Sequence, residues 1–234
     1  MRKTMWFLVI CLVVTSIPAL AREDAPAVLL GKAIKAMGGA EAINAAPILA
    51  WTGTASVHVA EKVSEIRVVT EVNPNGDSLS RSWLVGQDAS AARVLAITPR
   101  GGKLTRDGKT TAAPYAQWDH ERIQFSIYQL IRLTPLLEPP TRLVRIAEPR
   151  ANLQGFTVKR AGLPPAQLWF DDKRRLREID LTVPDAETHE PVAEVVTLDG
   201  EIVAAGIRWP RILKIALNGK PYFDLELDTF SPHR

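Results

Sequence analysis

The sequence predicts a mainly β fold with helices, an α+β class in which one long helix lies against a large antiparallel sheet. Three observations carry that expectation. Most of the chain beyond residue 22 alternates apolar and polar side chains with a period of two, as strands with one covered and one wet face do. One stretch, Asp119 to Leu137, repeats instead at helical spacing. Asn218-Gly219, set between two strand-like runs, is the strongest short hairpin signal a sequence carries.

In the helical stretch Ile123, Ile127, Leu130, Ile131 and Leu137 fall on one side with Thr134 among them. Glu121, Arg122, Gln129 and Arg132 fall mostly on the other. Asp119 is placed to cap the start, and Pro135 disfavours helical geometry at Thr134, so the regular part should end near Leu133. Burying five such side chains at ~1.5–3 kcal/mol each contributes on the order of 10 kcal/mol, well beyond what helix propensity supplies.

Taken in order, Ala25 to Met37 reads as a first helix carrying Val28, Leu30, Ile34 and Met37, stopped by Gly38-Gly39. A short turn of helix follows at Ala40 to Ala45. The first strand, Trp51 to Ala60, puts Trp51, Gly53, Ala55, Val57 and Val59 on one face and Thr52, Thr54, Ser56 and His58 on the other. Ser64 to Val72 repeats the pattern with Ile66, Val68, Thr70 and Val72, and Asn73 to Asp77 turns the chain. Ser78 to Val85, Ala92 to Thr98 and Lys103 to Thr105 complete the strands before the long helix. Beyond it come Arg142 to Ala147, Gly155 to Arg160, Gln167 to Phe170, Leu176 to Val183, Pro191 to Leu198, Trp209 to Leu217 and Pro221 to Phe230. These twelve stretches, several of them very short, amount to about ten or eleven strands, the number and spacing of a sandwich or barrel. No repeat or linker divides them, so residues 22–234 read as a single domain.

Residues 1–21 read as a cleaved signal peptide: Arg2 and Lys3, an apolar run from Trp6 to Val14, then Ala19-Leu20-Ala21. That run is too short to span a membrane, which takes about 20 residues. Cys11 does not make a lipoprotein signal, because Ile10 stands where a small residue is needed. The mature chain is then expected in the periplasm without a cysteine, and so without disulfides or thiolate metal sites. Losing Arg2 and Lys3 lowers Lys plus Arg from 29 to 27 against 26 acidic residues, a net charge near +1 that gives a nucleic-acid partner no support.

Catalytic constellations are missing. There is no G-x-S-x-G, phosphate loop, G-x-G-x-x-G or H-E-x-x-H; His120-Glu121 fails the last because position 124 is Gln. His58, His120, His189 and His233 are scattered singly, so no catalytic residue, metal or cofactor is expected. An enzymatic reading would need His58 or His120 to meet carboxylates across the fold. Asp171 and Asp172 sit in a turn beside Lys173, Arg174 and Arg175, where both should stay ionised. That basic group reads as a solvated hairpin tip or as a dock for an acidic partner. Trp51, Trp83, Trp169 and Trp209 lie on strands and Trp118 at the helix entrance. They are core packing, or they line a cavity left under the helix by a sheet too curved to fill itself.

The order of these elements resembles a known family. The stretches AMGGAEAI at Ala36 to Ile43, W-x-G-x-A at Trp51 to Ala55, LWFDDKRRLREI at Leu168 to Ile179 and GIRWPRILKI at Gly206 to Ile215 are similar to those of the LolA/LolB-like superfamily of periplasmic lipoprotein and lipid carriers, including the outer-membrane lipoprotein-sorting proteins. The resemblance implies an incomplete antiparallel β-barrel of about eleven strands covering the long amphipathic helix. It also implies a carrier of a lipid or lipoprotein acyl chain, working as a monomer with an inner- or outer-membrane protein partner. The cavity would be lined by Trp51, Val57, Val68, Trp83, Ile123, Ile127, Leu130, Trp169 and Leu213, with Thr134 and Pro135 as hinge and Lys173, Arg174 and Arg175 as partner dock. Because relatives of this fold include a stress-response sensor and an enzyme, a protein-interaction or stress-sensing module is the alternative.

Overall fold

The computed structural model describes residues 24–148, 150 and 152–234. The signal-segment expectation for 1–21 falls outside them. The chain begins with α1 (Pro26–Met37) and α2 (Ala40–Ala45), followed by β1 (Leu49–Val59), β2 (Lys62–Val72), β3 (Ser78–Leu84), β4 (Arg93–Thr98), β5 (Gly101–Arg106) and β6 (Lys109–Ala112). The long helix α3 (Tyr115–Arg132) and a 3₁₀ turn at Thr134–Leu137 come next. The second half holds β7 (Arg142–Arg145), β8 (Gln154–Lys159), β9 (Ala166–Phe170), β10 (Leu176–Pro184), β11 (Pro191–Asp199), β12 (Ile202–Ala204), β13 (Ile207–Trp209), β14 (Ile212–Leu217) and β15 (Lys220–Phe230).

Thirteen of these strands form one antiparallel sheet in the order β6-β5-β4-β3-β2-β1-β15-β14-β11-β10-β9-β8-β7. The sheet is not closed, as in an open barrel. β12 and β13 pair as a separate hairpin. The topology has one consequence that organises the rest: the first and last strands zip together in the middle, Trp51 opposite Phe230 through Val57 opposite Phe223. The two free edges, β6 and β7, are therefore consecutive in sequence on either side of α3. The helix is the connection from one edge to the other, and it crosses the face where the core lies.

The sequence-level count of about eleven falls short of thirteen plus two for local reasons. β6 is short, polar and wholly exposed, with no apolar face to read. The expected strand Trp209 to Leu217 is divided at Pro210, whose missing N–H breaks the ladder, so that Trp209 belongs to β13. α3 starts at Tyr115, not Asp119: Pro114 tolerates the N-cap position because helix-start N–H groups lack partners anyway. The Asp119 carboxylate instead holds Arg122 at 2.6 Å.

Two expectations about helix faces also change. Gln129 and Arg132 are buried, because backbone carbonyls receive their polar heads: Gln129 donates to Asn73 O at 3.1 Å, and Arg132 donates to Pro47 O and Ile43 O. Burial pushes the Arg132 guanidinium down from its ordinary value. Leu137 and Val28, expected inside, are half exposed at 54% and 50%.

One half of the trough is packed solid. Leu30 and Ile34 of α1 join Leu130 and Ile131 of α3 over Leu168 and Phe170 of β9, and Phe156 stacks on Phe170 at 5.4 Å. α1 lies here against β7 and β13. Its stop is fixed by geometry: Gly38 has φ 127°, and a Cβ there would meet Gly206 O at 2.1 Å. Gly31, in the middle of the same helix, has open space around it. Gly38→Ala is therefore expected to lower stability by about 2 kcal/mol or more, and Gly31→Ala to raise it by up to ~1 kcal/mol, both read from urea unfolding. Equal effects would show that the α1 stop is not strained.

Candidate functional site

The other half of the trough is hollow. Between α3 and the floor made by β1, β2, β3, β4, β14 and β15 lies a cavity of about 200 Å³. Trp51, Val57, Val68, Leu213 and Leu225 rise from the floor, and Phe125, Ile127 and Tyr128 descend from the helix. Trp51 and Tyr128 meet across it with ring centroids 4.4 Å apart, and burial raises the Tyr128 hydroxyl pKa. The strand parity that puts Trp51 and Ala55 inward on β1 puts Val68 and Thr70 inward on β2. On β3, however, Ser78, Ser80 and Ser82 take the inward positions, so this wall is small and hydroxylated. Small side chains on one wall leave a curved sheet unfilled.

The cavity has a polar end. Arg93 of β4 faces Glu121 of α3 at 3.5 Å, and Gln124 and Tyr222 line the space beside them. Behind Gln124 stands Glu194 of β11, 1% exposed, which accepts a short hydrogen bond from the Gln124 amide. Burial pushes the Glu194 carboxyl up to about 7, with the Gln124 hydrogen bond opposing. Burial, followed by the charges of Glu121 and Glu194, pushes Tyr222 up to about 12 while Arg93 acts against them. His120, also buried, hydrogen-bonds Pro184 O through Nδ1 at 2.8 Å and stands 3.4 Å from the Tyr222 hydroxyl through Nε2. These tethers fix the first turns of α3 above β10, β11 and β15.

Of the residues expected at a cavity, Trp51, Val57, Val68, Ile127 and Leu213 line this one. Leu130 is a buried member of the core and Ile123 packs against it, and neither lines the hollow. Trp83 and Trp169 are on the outward face. Trp83 pairs with Arg67 at an outward position of β3. Trp169 packs over Gly155, donates to Asp180 at 3.0 Å and lies under the Arg150 guanidinium, 4.6 Å away. Period-two alternation alone does not say which parity is concave, so it does not place either ring. At Thr134 and Pro135 the helix gives way to the 3₁₀ turn, with Leu133 at φ 63°; Leu133 and Thr134 are buried.

The basic tip carries two ion pairs within the chain. Arg174 pairs with Asp24 at 3.0 Å and Arg175 with Asp171 at 2.8 Å, leaving Lys173 exposed. His58 meets Asp224 at 3.3 Å, on the outward side of β1 away from the cavity. No three His, Cys, Asp or Glu side chains are grouped to hold a metal among the described residues. A wider groove along the outer side of α3, about 670 Å³, passes Asn75, Arg122 and Arg160 but is open and polar, which suits an apolar ligand poorly.

No protein-family model and no curated protein matches the chain. Solved structures do. A LolA superfamily protein from Nitrosomonas europaea superimposes with TM-score 0.58 at 9% identity, covering 90% of this chain and 94% of that one. A DUF1329 family protein from Desulfovibrio piger gives 0.55 at 9% identity, covering 89% and 93%. A putative outer membrane lipoprotein-sorting protein domain from Vibrio parahaemolyticus gives 0.50 at 8% identity, covering 86% and 90%. Likeness at such identities is likeness of fold.

Glu194 gives the site a pH signature. Its folded pKa lies above the ordinary value of 4.5, so the folded state holds a proton that the unfolded state releases between 4.5 and about 7. The stability this group contributes is full below 4.5 and is lost as pH rises through about 7, a change on the order of 3 kcal/mol. Glu194→Gln should therefore gain stability relative to the native chain as pH rises across that window, read by thermal unfolding. A pH-independent difference between the two proteins would contradict the burial of this carboxyl.

Proposed function

We propose that this chain, which has the fold of the LolA superfamily, is a periplasmic binding or carrier protein for the acyl chain of a lipid or lipoprotein. In this reading residues 1–21 are removed on export and residues 22–234 act as one domain and as a monomer, receiving cargo from or passing it to a membrane protein. The observation that carries it is the apolar hollow under α3, bounded by Trp51, Val68, Leu213, Phe125 and Tyr128. No helix among the described residues is long and apolar enough to cross a membrane.

Volume decides how such a site would work. A dry cavity of ~150 Å³ accepts benzene, so by proportion about 200 Å³ takes on the order of eight carbons. A longer chain enters only if α3 shifts outward. Each methylene moved out of water contributes ~0.8 kcal/mol, enough over a full chain to offset several helix contacts. The break at Leu133, Thr134 and Pro135 is where the helix can pivot, because regular i to i−4 bonding has already ended there. A partner-docking role for Arg174 and Arg175 is less favoured, since both charges are committed within the chain.

Two measurements test this. Protein purified from the periplasm is expected to carry co-purifying lipid in native mass spectrometry; a clean apo mass with no displacement of a fluorescent fatty acid would sink the idea. Ser82→Phe puts a ring into the hollow from the serine wall. It should lower acyl-chain affinity by tenfold or more while the melting temperature is held or raised, and unchanged affinity would move the site elsewhere.

A further inference from the structure

Gln124 of α3 and Glu194 of β11 meet through one hydrogen bond, donated by the Gln124 amide nitrogen to Glu194 Oε2. The other oxygen of each group, Gln124 Oε1 and Glu194 Oε1, is buried and without a hydrogen-bond partner among the described residues. With the carboxyl ionised both of these oxygens are acceptors, and neither can answer the other. One proton on Glu194 Oε1 changes that. The acid O–H can then donate to the amide oxygen while the amide N–H donates to the acid carbonyl, and two planar groups satisfy each other completely. The surroundings hold nothing else that suits an anion. Glu194 is 1% exposed, and Gln124 is the group that works against that burial. Across the ladders it faces Leu181 and Leu217. From α3 come His120, held by Pro184 O and close to the Tyr222 hydroxyl, and Glu121, which faces Arg93. Asp185, which also bears on Tyr222, brings a further negative charge.

We propose that Gln124 and Glu194 form a proton-operated latch on α3: the protonated pair holds the helix on the sheet, and loss of the proton favours the raised helix and entry of an acyl chain. The proposal deepens the acyl-chain reading and rests on it. Glu194 shares its inward parity on β11 with Val196 and Leu198, on the side that α3 covers through Gln124. Raising the helix therefore brings water to the carboxyl and restores its ordinary ionisation. The docked state keeps a proton that the raised state gives up between 4.5 and about 7. Opening becomes easier by up to about tenfold for each pH unit across that window and levels off above it.

Stopped-flow binding of methyl pyrenedecanoate, an uncharged acyl probe, to the full chain tests this. Its association rate is expected to rise at least about tenfold from about pH 5 to about pH 7.5. In Glu194→Gln the two amides can keep both hydrogen bonds at every pH, so the rate should stay at the native chain's low-pH value. Exchange of the Tyr115–Arg132 amides, corrected for its intrinsic pH dependence, should follow the same pattern without ligand. Should Glu194→Gln not fold, infrared spectra of the native chain make the check: a protonated-carboxyl band must outlast the ordinary carboxylates as pH rises toward about 7. A rate that ignores pH, a rise that persists in Glu194→Gln, or a missing band overturns the latch and leaves the acyl-chain reading standing. If the probe binds at no pH, the acyl-chain reading falls, and amide exchange decides whether the proton still governs the helix.

Discussion

The path of α3 is set by connectivity before any side chain is considered. β1 and β15 close the centre of the sheet, so the free edges β6 and β7 lie at its two extremes, and only the segment holding α3 joins them. A segment that must cross from edge to edge over a curved sheet has to run across the concave face. There it meets the apolar ends of inward-pointing side chains, and an amphipathic helix is the economical way to cover them while satisfying its own backbone. The rest of the architecture follows from that crossing. α1 and the β7–β10 half fill the space on one side of it, and nothing of comparable bulk fills the other.

What holds the helix in place is as telling as what it buries. Its polar anchors are directional: His120 to Pro184 O, Gln124 to Glu194, Gln129 to Asn73 O, Arg132 to Pro47 O and Ile43 O. They satisfy groups at strand ends and at the close of α2, and they set the height of the helix above the floor. Hydrophobic contact alone is non-directional and would pull α3 down until the hollow vanished. Hydrogen bonds of about 1 kcal/mol each hold the helix at its height yet are weak enough individually to be exchanged. That combination keeps a space open beneath Phe125 and Tyr128 and is consistent with a cover that moves.

Much of this was legible in the sequence, and the failures have physical causes. Alternation in β1 and β2, the glycine stop after Met37 and the Asn218-Gly219 hairpin are local signals that tertiary packing did not override. Trp83 and Trp169 are not placed by alternation, because a large ring looks like core from either parity, and arginine packing beneath or above it can bury the outward face as well. β6 was invisible because an exposed edge strand has no apolar face. The polar end of the cavity was missed, although one signal was present: Glu194 shares its parity on β11 with Val196 and Leu198, and a carboxylate at an inward apolar position asks for an explanation. The helix partner, Gln124, could be found only from the three-dimensional pairing.

The central claim is that α3 can leave the sheet while the β1–β15 seam stays shut. Native-state hydrogen exchange resolved by residue addresses it most directly, since local opening and global unfolding are separable in that measurement. The account predicts that amides of Tyr115–Arg132 exchange through an opening several kcal/mol below that of the β1 and β15 amides, and that a long acyl ligand shifts the helix amides selectively. Helix and seam amides exchanging together, only on global unfolding and with or without ligand, would contradict it.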